Sequence, residues 1–227
     1  DKSRNTYSVS FLFSQILNKN AQFAFFIDLI KQEGWLANPL QRVYFSDVNN
    51  FYIGNPSSIS FYTSKSNKDV FHLADDIERL PSTRIKVPVG IRFNYFLNEN
   101  LTLRTYYRYY SDDWKINSHT LNLELPIKLS GNFTFYPSYR FYSQSKSKYF
   151  ESYDQHISSS KYYTSDYDLS KFKSNQLGFG LKYVDIFTKL KIWEIGLKSV
   201  DLNYSNYKRN SDFKSNIFSV GLKFVID

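Results

Sequence analysis

Residues 101–129 read LTLRTYYRYYSDDWKINSHTLNLELPIKL. Leu101, Leu103, Thr105, Tyr107 and Tyr109 alternate with Thr102, Arg104, Tyr106, Arg108 and Tyr110. After a polar stretch at 111–117 the alternation resumes, with His119, Leu121, Leu123, Leu125 and Ile127 set against Ser118, Thr120, Asn122, Glu124, Pro126 and Lys128. A period of two places successive side chains on opposite faces of a strand. One face here is apolar and aromatic; the other carries arginine, lysine and glutamate. Each run lasts about ten residues, the length of a tilted strand that crosses a bilayer, whereas a strand of a soluble domain has about half that. The stretch predicts a hairpin with one face toward lipid and the other toward a watery interior. That is the pattern of an all-β, antiparallel, up-and-down transmembrane β-barrel.

The same alternation extends both ways. It is expected at 6–17, 21–30, 85–96, 133–144, 176–183, 193–198 and 218–226, so that about nine strands are visible. In the second of these Phe26 and Ile30 interrupt the polar side, and after 193–198 a slip of the phase is expected near 199–202. Turns near Asn18, Asn98, Gly131 and Asp185 are short, and loops starting near Gln32, Ser111, Ser145 and Asn206 are expected to be mostly longer. Outer-membrane barrels have short periplasmic turns and long outer loops. A periplasmic C-terminus would put the long loops, near 32–84 and 145–165, outside the cell. Within the first, residues 70–80 (VFHLADDIERL) suggest a short helix. Bacterial single-chain barrels have an even number of strands. Residues 1–227, which open on Asp1 without a signal peptide, are therefore expected to be the C-terminal part of one larger barrel domain. Pro88, Pro126 and Pro137 lie inside the expected strands, where bulges would have to absorb them.

Composition agrees with this reading. Aromatic residues make up 19% of the chain, with 20 Tyr and 21 Phe, enough for girdles at two membrane interfaces. Mean hydropathy is −0.46, the value alternating strands give when polar and apolar faces average out. With no cysteine, disulfides and thiolate metal sites are excluded. The net charge of +8 is spread singly along the strands, which argues against nucleic acid as a partner.

The basic residues expected to face the lumen are Lys86, Arg92, Arg104, Arg108, Lys128, Arg140, Lys182, Lys198 and Lys223, against the acids Asp28, Glu124 and Glu194. An open lumen with this excess would favour anions. The competing expectation is that loop acids such as Asp75, Asp76 and Glu78 fold in and pair with these cations. Asp112 and Asp113 with His119 nearby offer a cation site or an acid–base pair. A hydrophilic turn whose aspartates cap backbone amides explains them more economically. Ser118 and His119 are adjacent and so point to opposite faces, which removes them as a dyad. No phosphate loop, zinc spacing or nucleophile motif is present, so no catalytic residue, metal ligand or cofactor is expected. Trp114 is expected at the membrane interface, whereas Trp35 and the run at 161–163 (KYY) would equally suit stacking on sugars.

Four segments carry a resemblance: QEGWL at 32–36, YRYYSDDW at 107–114, NSHT at 117–120 and YYTSDYDLS at 162–170. In them the chain resembles DUF3570, a family of unknown function whose members are expected to be outer-membrane barrels of Bacteroidota. Lys115 stands where the resemblance would put glycine after Asp-Asp-Trp. The resemblance implies location and architecture and no activity.

The end of the chain, with Gly221, Phe224 and Ile226, resembles the terminal signal read by the barrel-assembly machinery; Ile226 stands where an aromatic is usual. The expected function is a channel or transport barrel, or a membrane-embedded subunit of an envelope complex, and not an enzyme. Its expected partners are outer-membrane lipid, lipopolysaccharide, the assembly machinery and other envelope proteins. The alternatives are a barrel hydrolase with a rim site and a soluble secreted carbohydrate-binding β-sandwich.

Overall fold

A computed structural model of the protein describes residues 3–48, 51–52, 71–72, 74–185 and 187–226. In chain order the strands are β1 Arg4–Asn18, β2 Ala21–Gly34, β3 Arg42–Tyr44, β4 Phe51–Tyr52, β5 Phe71–His72, β6 Asp75–Ile77, β7 Thr83–Asn98, β8 Leu101–Asp112, β9 Asn117–Glu124, β10 Ile127–Lys128, β11 Phe133–Gln144, β12 Phe172–Val184, β13 Lys191–Ile192, β14 Ile195–Arg209 and β15 Lys214–Ile226. Eleven of them form one sheet. Its long members run antiparallel, each beside the next in sequence: β1, β2, β7, β8, β9 with β10, β11, β12, β14 and β15. This is the all-β up-and-down barrel architecture expected from the alternation. One cavity is lined by residues from β8 across to β15, among them Arg104, Glu124, Gln176, Lys182, Asp201 and Ser219 of one face, so the sheet curls around that face. Among the described residues β1 and β15 each pair on one side only.

The faces divide as the alternation requires. Leu177, Phe179 and Phe218, on the convex side, are 65%, 52% and 70% exposed. Val9, Leu29, Leu202, Val220 and Leu222 extend this uncovered apolar band. It is bordered by aromatic rings at both ends. Toward one end the hydroxyls of Tyr109, Tyr139 and Tyr204 donate to the Oδ1 atoms of Asn117, Asn175 and Asn216 at 3.0, 2.7 and 3.0 Å. Toward the other, Phe93 packs on Tyr95 and Phe133 on Tyr183, with ring centroids 6.3 and 5.0 Å apart.

The buried apolar cluster is small and lies away from this wall. Val43, Phe45 and Tyr163, joined by Val48, form it where the two long loops meet. Bridges Phe45↔His156, Arg79↔Tyr163 and Phe150↔Thr164 tie those loops into a cap over one end of the strands. The helix expected over 70–80 is not formed: Phe71–His72 and Asp75–Ile77 are short strands pairing with Phe51–Tyr52 and Arg42–Tyr44, while Val70 and Leu73 lie outside the described residues.

The loop expected from Asn206 to Ser215 is also shorter. β14 runs on to Arg209 and β15 starts at Lys214. Tyr207 and Asn206 are polar in composition but register with Ser215 and Asn216.

The prolines are accommodated without bulges, which occur instead at Ile16/Asn18, Phe96/Asn98 and Leu197/Ser199. Opposite Pro88 the β2–β7 ladder passes from Ile27↔Val89 to Ile30↔Lys86, a gap where proline has no N–H to give. Pro126 falls in the break between β9 and β10. Pro137 turns its missing N–H toward that break, where its carbonyl still accepts from the Leu125 amide at 3.0 Å.

Candidate functional site

The concave face is built in rows that follow the strand register. One row runs Arg92, Tyr106, Asn122, Arg140, Gln176, Tyr207 across β7, β8, β9, β11, β12 and β14. The next, nearer the cap, runs Gly90, Arg108, Thr120, Tyr142, Ser174, Arg209. Arg104, Lys182 and Lys128 share this face toward the opposite end, and Lys223 pairs with Ser199 there. Of the expected lumen cations one is displaced. Lys198 occupies the bulge between Leu197 and Ser199, so the extra residue takes it out of the row. The same bulge shifts the phase of β14 and brings Asp201 onto the concave face, opposite Lys182 at 3.4 Å. Glu194 belongs to the turn between β13 and β14 and not to an inward row.

Acids neutralise part of this face. Arg104 pairs with Glu124 at 2.9 Å, and Arg209 with Asp168 of the cap at 2.8 Å. The loop acids expected to fold onto the lumen cations do not. Asp75 pairs with Arg42, Asp76 takes Arg79 and the Tyr163 hydroxyl, and Glu78 accepts from the Asn38 amide and the Thr164 hydroxyl. Among the described residues no ion pair forms to Lys86, Arg92, Arg108, Lys128, Arg140 or Lys223.

Arg92 is held by rings. The Phe26 and Tyr106 rings lie parallel with centroids 5.7 Å apart, and the Arg92 guanidinium is 5.6 Å from each. Gly90 makes the room: a Cβ there would stand 2.4 Å from the Phe26 ring and 2.7 Å from the Tyr107 carbonyl oxygen. The apolar interruption at Phe26 is thus a seat for a cation.

The Asp-Asp-Trp turn is structural. The Asp112 side chain accepts from Arg84 Nε at 2.9 Å, the Tyr110 hydroxyl at 2.8 Å and the Ile116 amide at 2.9 Å. Asp113 accepts from the Ile85 amide at 3.0 Å. Trp114, expected at the membrane interface, is instead 2% exposed beneath the cap. Its indole N–H donates to the Thr83 carbonyl at 3.2 Å, and Arg84 lies 4.3 Å from its ring. A shape that shields both faces of the indole wins over the interface here. Lys115 has φ 70, the left-handed region glycine favours, at the position where the resemblance would put glycine. His119 meets the Tyr107 hydroxyl at 2.7 Å on the convex side. The structure therefore gives Asp112, Asp113 and His119 separate partners, and no metal-binding group forms among the described residues. Gly221 and Phe224 lie on β15 opposite Asp201 and Leu197, with Ile226 paired to Ile195 at its end. Arg84 and Arg209 lie outside the expected strands although both keep the polar phase of the observed ones: Arg84 directly precedes the strand expected from Ile85, and Arg209 falls in the stretch expected as a loop from Asn206.

Glu78 is the buried acid of the cap, 4% exposed. Burial raises its pKa above the usual 4.5 and outweighs the two hydrogen bonds that lower it; Asp166 nearby adds to the rise. A carboxyl raised in the folded state contributes stability that is complete below its unfolded value and is lost as pH climbs through the folded one. Cap protection, followed by hydrogen exchange over residues 145–170, is expected to fall as pH rises above about 4.5. Glu78→Gln should remove that slope; an unchanged slope would show that another group sets it.

No curated protein sequence matches the chain. Among solved structures it is similar to a deltaS2 mutant of the TodX monoaromatic hydrocarbon channel, with 11% identity, TM-score 0.49, and 99% of this chain on 62% of that one. It is similar to a loop-deletion mutant of OmpT, an outer membrane protein of Vibrio cholerae, with 8% identity, TM-score 0.42, and 95% on 61%. A bacterial polysaccharide outer membrane secretin gives 9% identity, TM-score 0.41, and 98% on 78%. The chain thus spans about three-fifths of the first two, and similarity at this level assigns neither substrate nor activity. The sequence match is more specific: residues 1–222 match the family described as "Protein of unknown function (DUF3570)", and the chain belongs to that family.

Proposed function

We propose that the chain is the wall of an outer-membrane barrel that passes small anions, with the cap partly covering its outer mouth. The observation that carries this reading is the inversion of the two faces. A soluble domain of this size buries well over half its surface around an apolar core. Here large apolar side chains stand uncovered on the convex side while Arg92, Arg108 and Arg140 stand on the concave one without a carboxylate partner among the described residues. Aromatic rings at both ends of the convex band suit two interfaces. In this reading the cap faces outside, the turns near Asn18 and Asn98 face the periplasm, and outer-membrane lipid, lipopolysaccharide and the barrel-insertion machinery are the partners.

Planar-bilayer recording of the full-length protein is the test. Steady conductance with anions preferred over potassium is expected. Joint replacement of Arg92, Arg108 and Arg140 by glutamine should bring the preference roughly several-fold closer to unity. Silence from correctly inserted protein would retire the channel reading. The cap favours what would then remain, a closed wall serving as the membrane-embedded subunit of an envelope complex. A rim hydrolase finds no support in the separate partners of Asp113 and His119.

A further inference from the structure

Arg108 on β8 and Arg140 on β11 stand on either side of β9, whose Thr120 and Asn122 lie between them. Two strand spacings and a two-residue offset separate the arginine backbones, about 12 Å, within the combined reach of two arginine side chains. With Tyr106 these residues line a cavity of about 300 Å³, the size at which small-ligand sites begin.

The lining is rich in donors. Guanidinium groups only donate, and the threonine hydroxyl and asparagine amide add further N–H and O–H groups. No carboxylate lines this cavity, whereas Glu124 and Asp201 line the larger one beside it. Thr120 is 2% exposed, and its hydroxyl makes no hydrogen bond; the shielded Nε of Arg108, its cross-strand partner, makes none either. Buried polar groups are nearly always paired, so two unpaired ones side by side at the floor of a cationic cavity point to an acceptor supplied from outside the chain.

We propose that this cavity is a binding site for a phosphate-class oxyanion. One arginine fork is enough to satisfy a planar carboxylate. Two forks from opposite sides and a hydroxyl from the floor approach from three directions, which suits a tetrahedral group. In a conducting barrel such a site would be a selectivity station on the anion path. The inference rests on the concave face being open to solvent, as the proposed function has it, but not on conduction.

The test is calorimetric titration of the full-length protein, folded in detergent micelles, with inorganic phosphate at fixed ionic strength, against sodium acetate and sodium chloride. Phosphate is expected to bind at least about tenfold more tightly than acetate. Arg108→Gln and Arg140→Gln should each weaken it by about tenfold or more, Thr120→Val by a smaller factor, and Lys223→Gln not at all. Circular dichroism identifies any variant that fails to fold; the wild-type comparison of phosphate with acetate and the Thr120→Val titration then decide. Phosphate no better than chloride, or arginine variants that titrate like wild type, would overturn the site. Phosphate binding by a protein silent in bilayers would support the site and retire only the channel.

Discussion

Phe179→Arg will destabilise the barrel in a bilayer by about 2–4 kcal/mol, the cost of a cation on the lipid face near the midplane. Phe179 is central in β12, pairs with Pro137 and Tyr204, and turns a ring that is 52% exposed to the convex side. Were that side in water, arginine at a half-exposed position would change stability by no more than about 0.5 kcal/mol. Urea unfolding of wild type and variant in phospholipid vesicles separates the two cases. A loss below 1 kcal/mol would return the convex face to water and with it the soluble sandwich. Because the expected penalty comes from the solvent and not from packing, it should shrink in short-chain detergent, where water reaches the protein surface more easily.

Asp112→Ala is the second large effect, about 3–5 kcal/mol, because it strands the partner of a buried ion pair. The Asp112 side chain is 0% exposed and that of Arg84 only 15%. Loss of the carboxylate leaves the buried guanidinium without an anion, against the Trp114 ring and the Tyr110 hydroxyl, and orphans the Ile116 amide. Asp112→Asn keeps the volume and one acceptor oxygen, so an intermediate loss is expected. The same unfolding experiment measures both, and a loss under 1 kcal/mol for the alanine variant would show that water takes over the site.

How much of this was legible in the sequence depends on what set each feature. The strands were readable because a wall with different solvents on its two sides forces strict alternation; β11 was found with its ends, Phe133 and Gln144, in place. The rows of arginines followed from the same phase. Errors arose where something other than alternation decides. The slip expected near 199–202 is present, one residue earlier at Lys198, but its consequence, Asp201 turned inward to pair with Lys182, has no local pattern to announce it. Trp114 was misread because an indole suits an interface and a buried stack equally by composition, and only its seat between Arg84 and Tyr149 distinguishes them. The cap's pairing of Asp75, Asp76 and Glu78 depends on residues 33 to 87 positions away, beyond any local pattern.

The seating of Arg92 beside the stacked rings of Phe26 and Tyr106 has a consequence of its own. A lysine or arginine on a free stem samples a volume and contributes a blurred potential, but a guanidinium resting against the side of a stacked ring pair is confined to fewer positions. In the proposed channel, the electric profile at that height would therefore depend on two uncharged side chains and on the absence of a methyl at Gly90. Removing either ring would leave the formal charge of the concave face unaltered and, in such a channel, would still redraw the landscape that an ion meets.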